Sequence, residues 1–189
     1  HALQSGKYDV HKTALMITQT GGGCRASNYI NLLRKALIKN GMEQVPVVSL
    51  NLSNLEKNPG FKLTAKLVLK LFIAICYADV LMWTGNQVRP YEVNKGDTDK
   101  VISEWVDKLV QRKFSIATFY KTAKEIVSDL EKIPVNNIKK VKVGIVGEVY
   151  IKFAPLGNNC LEDFLRSEDV EVVIPGLADM MLFMCDHHI

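Results

Sequence analysis

The sequence predicts an α/β fold: a parallel sheet of about four strands with a helical insertion between the second and third. Three observations predict it. Short apolar runs rich in β-branched residues alternate with stretches of helical periodicity. The element order reads β-α-β, a helical stretch, then β-α-β-α. The chain has 189 residues, of which 48% are hydrophobic, enough to bury one compact core.

The elements follow in order. Thr13 to Thr18 reads as a buried strand that ends in glycines. Ser27 to Lys39 reads as a helix, with Ser27 placed to cap its start and Asn40-Gly41 to stop it. Val45 to Leu50 is a second strand. Pro46 sits near its beginning, where a missing N–H is tolerated. Asn51 to Gly60 carries loop residues. Helical periodicity then runs through three segments, Lys62–Trp83, Asp97–Lys113 and Thr118–Leu130, and Pro134 closes the insertion. Val141 to Val146 is a strand, Asn159 to Ser167 a short helix, Val170 to Ile174 a strand, and a last helix starts at Gly176.

Right-handed crossovers make 2-1-3-4 the simplest strand order, as in flavodoxin-like and Rossmann-like sheets. Residues 1–189 then form a single α/β domain, and residues 62–133 are the helical insertion within it. Such a sheet binds ligands outside the carboxyl ends of its strands, at the switch between the first and third. The loops there are Gln19–Asn28 and Gly147–Asn159, so the order predicts that they face each other.

Charge and cysteines exclude some classes. The net charge of +4 is only mildly basic, and no Lys/Arg stripe interleaves with aromatics, which argues against nucleic-acid binding. Lys139, Lys140 and Lys142 read as a solvated strand entry. The apolar stretch from Leu67 to Trp83 is interrupted by Lys70 and Asp79 and follows Lys66, which favours a buried helix over a membrane span. Cys24, Cys76, Cys160 and Cys185 form no CxxC pair, and their wide spacing suits reduced thiols in a cytoplasm. The first residue is not Met, and both ends look cut from a longer protein.

The candidate chemistry centres on Gly21-Gly22-Gly23-Cys24-Arg25. Three glycines between a strand and a helix let an anion approach the backbone N–H groups, or form a tight turn with nothing bound. The run is neither a dinucleotide fingerprint nor a P-loop. Cys24 near a helix start favours the thiolate, which ligates metals and attacks electrophiles. Arg25 is either an anion contact or a surface brace. Ser27 and Asn28 read as capping residues that also border the loop. Glu148 at a strand's carboxyl end is either an acid/base or a local acceptor. Asn158 and Asn159 border the opposing loop, and Cys160 lies beside them, open to packing or to lining the site. Arg89-Pro90-Tyr91-Glu92 either folds over a ligand or braces its own loop. His187 and His188 only superficially resemble a metal pair. Cys76 reads as a small buried hydrophobe, and Cys185 as a packing residue of the last helix.

Several of these segments, taken with two more, carry a resemblance. They are Gln19 to Tyr29, Leu55-Glu56-Lys57-Asn58-Pro59-Gly60-Phe61, Gln87-Val88-Arg89-Pro90-Tyr91-Glu92, Gly147-Glu148-Val149-Tyr150 and Pro155-Leu156-Gly157-Asn158-Asn159. The chain resembles the 2-hydroxyacyl-CoA dehydratase-related proteins, including those labelled activators of (R)-2-hydroxyglutaryl-CoA dehydratase and fused behind an ATP-dependent activase. That resemblance implies a [4Fe-4S] cluster in the full-length protein, ATP on a separate activase domain, and radical dehydration of a 2-hydroxyacyl-CoA driven by electron transfer. It implies Cys24 as a cluster ligand, and Gly21, Gly22, Gly23, Arg25, Ser27, Asn28, Asn158 and Asn159 near the cofactor. Cys160 as a further ligand rests on its place beside that loop, not on the resemblance. Implied partners are an activase domain or subunit and an acyl-CoA, with no nucleic acid or membrane. The competing expectation is a non-catalytic module whose glycine loop holds an acyl-CoA or a partner.

Overall fold

The computed structural model describes residues 2–20, 24–51, 64–112 and 115–186. The fold is mixed α/β, and the chain divides into two compact units, His1–Ala65 and Lys66–Ile189. Each unit contains one parallel two-stranded sheet. No four-stranded sheet forms among the described residues.

In the first unit, β1 (Leu15–Thr18) runs parallel to β2 (Val47–Leu50), with Leu15 opposite Val47 and Thr18 opposite Leu50. A parallel pair needs a crossover, and α1 (Tyr29–Lys39) lies between the strands in sequence. β1 is not the fully buried strand that its apolar run predicts. Its burial alternates: Leu15 and Ile17 pack toward the core while Met16 is half exposed. α1 supplies Ile30 and Leu37 to that core, beside Val45 and Val47. Burying each such side chain stabilises by about 1.5–3 kcal/mol. The helix stops where the sequence predicts. Gly41 takes a left-handed φ of 66°, and the Asn40 side-chain amide donates to the Ala36 carbonyl at 2.7 Å.

In the second unit, α2 (Ala65–Val88), α3 (Asp97–Gln111) and α4 (Ile116–Glu131) surround Ile73, Tyr77, Leu81, Trp105, Leu109, Ile126, Leu130 and Ile133. The apolar stripes read from the sequence account for α3 and α4. α2 differs from the buried helix expected. It buries Ile73, Tyr77 and Leu81 along one stripe, while Leu69, Leu71, Phe72 and Trp83 remain well exposed. Residues Ala65–Tyr91 are long and apolar enough to cross a membrane by length and composition, and only 17% of the apolar window is buried.

The second sheet pairs β3 (Lys142–Gly144) with β4 (Glu171–Val173) in parallel, Lys142 opposite Glu171. A smaller core of Ile145, Val172 and Ile174 packs here. The lysines before this sheet are not simply solvated. Lys140 forms an ion pair with Asp169, and Lys142 with the buried Glu171 at 2.8 Å. The Tyr91 hydroxyl also donates to Glu171, at 2.7 Å. Burial raises the Glu171 pKa, but the hydrogen bonds from Lys142 and Tyr91 outweigh it and hold the carboxyl below its ordinary value.

Between β3 and β4, the short helix expected over Asn159 to Ser167 is present, but the stretch from Gly147 to Asn159 is not the loop that Gly147, Pro155 and Gly157 suggest. The segment holds α5 (Val149–Phe153), α6 (Pro155–Asn158) and α7 (Leu161–Ser167). The final helix, α8 (Leu177–Asp186), follows β4.

Asp79 explains the acid within apolar α2. Its carboxylate accepts from the backbone N–H groups of Leu177 at 3.1 Å and Ala178 at 2.7 Å, and so caps α8. One turn later, the Trp83 indole donates to the Ile174 carbonyl at 2.9 Å. Gly176 leaves room for this cap: a Cβ there would lie 2.5 Å from the Asp79 carboxylate, which would have to shift.

Candidate functional site

Cys24 lies on the segment that follows β1 and precedes α1, and it is exposed with a free thiol. Its extended backbone leads into a 3-10 turn, Arg25–Ser27. That turn displaces the expected cap. The Ser27 hydroxyl donates to the Cys24 carbonyl at 2.6 Å, α1 begins only at Tyr29, and Asn28 stands at the cap position without a side-chain cap bond. The Asn28 side-chain oxygen instead accepts from the Asn31 amide at 3.2 Å. Arg25 and Asn28 are exposed, and Ser27 is half-buried. Gly21, Gly22 and Gly23, and the Leu55–Phe61 segment of the family resemblance, lie outside the described residues.

Sequence reasoning misses the residue that fixes this loop. Gln19, just past β1, donates from its amide to the Ser27 carbonyl at 3.1 Å. Its side-chain oxygen accepts from the Ser49 hydroxyl at 2.6 Å, and Asn51 donates to Ser49 at 2.7 Å. Ser49 is buried on β2, so Gln19 couples the sheet directly to the Cys24–Ser27 turn. The available signal was a polar residue closing an apolar run next to glycines.

The remaining predicted residues belong to the second unit. Glu148 is the N-cap of α5, and its carboxylate accepts from the Ile151 N–H at 2.9 Å. That is the local-acceptor role among the two expected. Asn158 is a brace. Its amide donates to the carbonyls of Ile151 at 2.9 Å and Lys152 at 3.2 Å, and its oxygen accepts from the Leu161 N–H at 3.1 Å. Asn159 and Cys160 both take left-handed backbone angles, each with φ of 55°, and the Cys160 thiol is exposed and free. Cys24 belongs to one unit and Glu148, Asn158, Asn159 and Cys160 to the other.

Arg89 and Glu92 brace their loop, but not through each other. Arg89 donates from Nε and Nη2 to one oxygen of Asp99, at 2.9 and 2.7 Å, and from Nη1 to Asn86 at 2.7 Å. Glu92 accepts from the N–H groups of Gly96 at 2.6 Å and Thr98 at 2.8 Å, closing the start of α3. Cys76 is half-buried in α2, and burial together with nearby Asp79 raises its thiol pKa. His187 and His188 lie outside the described residues. Among the described residues no group of three or more His, Cys, Asp or Glu side chains converges in a way that could hold a metal.

No family model, curated protein or solved structure matches this chain.

Proposed function

We propose that this chain is a lobe of a larger 2-hydroxyacyl-CoA dehydratase/activase-type system, in which Cys24 supplies one ligand to an iron–sulfur, electron-accepting centre. The observation that carries this reading is the exposed, free Cys24 thiol beyond the carboxyl end of β1, on a turn held by Gln19 and Ser27. A thiol buried beneath α1 would have been a packing residue. A cluster takes about four ligands, and the described residues gather no such set, so the other ligands come from elsewhere in the full-length assembly. When bound, the cluster would accept an electron delivered by a separate ATP-hydrolysing activase domain, and the substrate class is a 2-hydroxyacyl-CoA. This chain's own part is to hold the Cys24 thiol at the surface of a fixed turn. Cys160, also exposed, is a second candidate ligand.

The proposed fold for this lobe is the four-stranded sheet of order 2-1-3-4. Its support is that β1–β2 and β3–β4 are both parallel, and both are neighbours in that order.

Anaerobic reconstitution of the full-length protein with iron and sulfide tests the functional reading. Visible cluster absorbance should appear, and Cys24→Ala should remove or alter it. Equal absorbance and iron content in Cys24→Ala would sink the ligand role. One observation favours a second reading, an acyl-CoA or partner-binding module. The start of α1 lacks a side-chain cap, and exposed Arg25 lies beside it. On that reading, acyl-CoA affinity falls in Arg25→Ala and no iron is needed.

A further inference from the structure

A groove of about 550 Å³ runs between α2 and α4, wholly within the second unit. Trp83 and Tyr120 line it and are well exposed, at 41% and 70%. Two polar groups on its α2 side are already engaged. The Trp83 indole donates to the Ile174 carbonyl at 2.9 Å, and the Thr84 hydroxyl donates to the Val80 carbonyl at 2.6 Å. The surface that Trp83 leaves uncovered is therefore apolar ring. Ala123 and Val127 extend the lining on α4. Exposed aromatic side chains of this kind are the usual anchors of protein–protein contacts.

The charges on the groove say what covers it. Among its lining residues two are charged, Lys124 and Glu131, both exposed. Elsewhere on α4, Glu125 pairs with Arg112 and Asp129 with Lys132, whereas Lys124 and Glu131 form no ion pair among the described residues. The Lys124 ammonium lies over the Tyr120 ring, 4.7 Å from its centre. Lys124 and Glu131 are seven residues apart, about two turns, so they share one stripe of α4 with Tyr120 and Val127. A different stripe, Thr122, Ile126 and Leu130, is buried. That order of charges selects the direction of a self-partner. A second copy lying parallel and in register sets Lys124 on Lys124 and Glu131 on Glu131, which is repulsive. A copy lying antiparallel, about a two-fold axis at Val127–Ser128, sets Lys124 of each chain on Glu131 of the other.

We propose that this groove is the interface of a homodimer, in which a second copy of the chain packs its α4 antiparallel against α4, covers Trp83 and Tyr120, and pairs Lys124 with Glu131 on both sides of the axis. An isologous contact requires a self-complementary patch, and this stripe is one. The aromatic rings supply the burial, and the two charge pairs set direction and register. The interface uses no residue of the first unit.

Sedimentation velocity of the full chain over a concentration series tests this. A reversible monomer–dimer equilibrium is expected. Tyr120→Asp, at an exposed position, should weaken it about tenfold or more. Lys124→Glu and Glu131→Lys each put like charges at both pairs and should each weaken it severalfold. Mixed in equal amounts, those two single variants should associate as tightly as the parent, because each then meets the opposite charge. A chain that stays monomeric at every concentration overturns the proposal. A dimer that Tyr120→Asp leaves unchanged overturns it too, by placing self-association on another face. So does a mixture of the two charge variants that associates no more tightly than either alone.

Discussion

The helix starts differ, though not strictly by unit: α4, α6 and α7 of the second unit have no side-chain bond from the cap residue, as α1 of the first has none, while three other starts in the second unit are closed. Carboxylates from the chain occupy those three: Glu92 at α3, Glu148 at α5 and Asp79 at α8. In the first unit, α1 follows β1 with no side-chain cap, and a 3-10 turn bearing Cys24 and Arg25 takes its place. A helix start carries unpaired N–H groups and a partial positive charge, and a carboxylate placed there excludes other anions. The comparison therefore separates helix starts closed for stability from one whose neighbouring thiol and guanidinium face solvent.

Breaking the caps tests this division. The largest effect should come from Asp79→Ala, which strips α8 of an acceptor making two bonds. The expected loss is about 2 kcal/mol, read as a lower denaturation midpoint with an unchanged denaturant slope. A loss below about 0.5 kcal/mol would show that α8 does not need this anchor. Glu148→Ala removes the acceptor of the Ile151 N–H at a half-buried position and should cost about 1 kcal/mol. Amide exchange should quicken first at Ile151. The smallest effect belongs to Cys24→Ala and Arg25→Ala, each within about 0.5 kcal/mol of the parent in thermal melts. If either variant unfolds the first unit, that residue is structural and the contrast between these helix starts fails.

The sequence was most readable where a local pattern decides the structure. The apolar runs around Leu15 and Val47 located β1 and β2, the 3.6-residue stripes of Trp105 and Ile126 located α3 and α4, and Asn40-Gly41 located the stop of α1. It was least readable where a partner lies far along the chain. Nothing local to Asp79 announces that it closes a helix about one hundred positions later, and nothing local to Gln19 announces Ser49. The lysines at 140 and 142 looked solvated because Asp169 and Glu171 are distant in sequence. α5 and α6 were hidden by Gly147, Pro155 and Gly157, which read as loop punctuation. At the candidate site, the thiol of Cys24 is exposed. Glu148 and Asn158 both hydrogen-bond to nearby backbone.

Asp79 also has a consequence during synthesis. Ala178, whose N–H it binds, lies 99 positions later in the chain. At about 5–20 residues per second, the acid emerges from the ribosome several seconds before its partner exists. Until then α2 is a segment with a mean hydropathy of 1.8 over its most apolar window. An ionised aspartate within such a helix opposes bilayer insertion by about 3 kcal/mol. The same carboxylate that later anchors α8 thus weighs against bilayer insertion of the nascent helix while it waits.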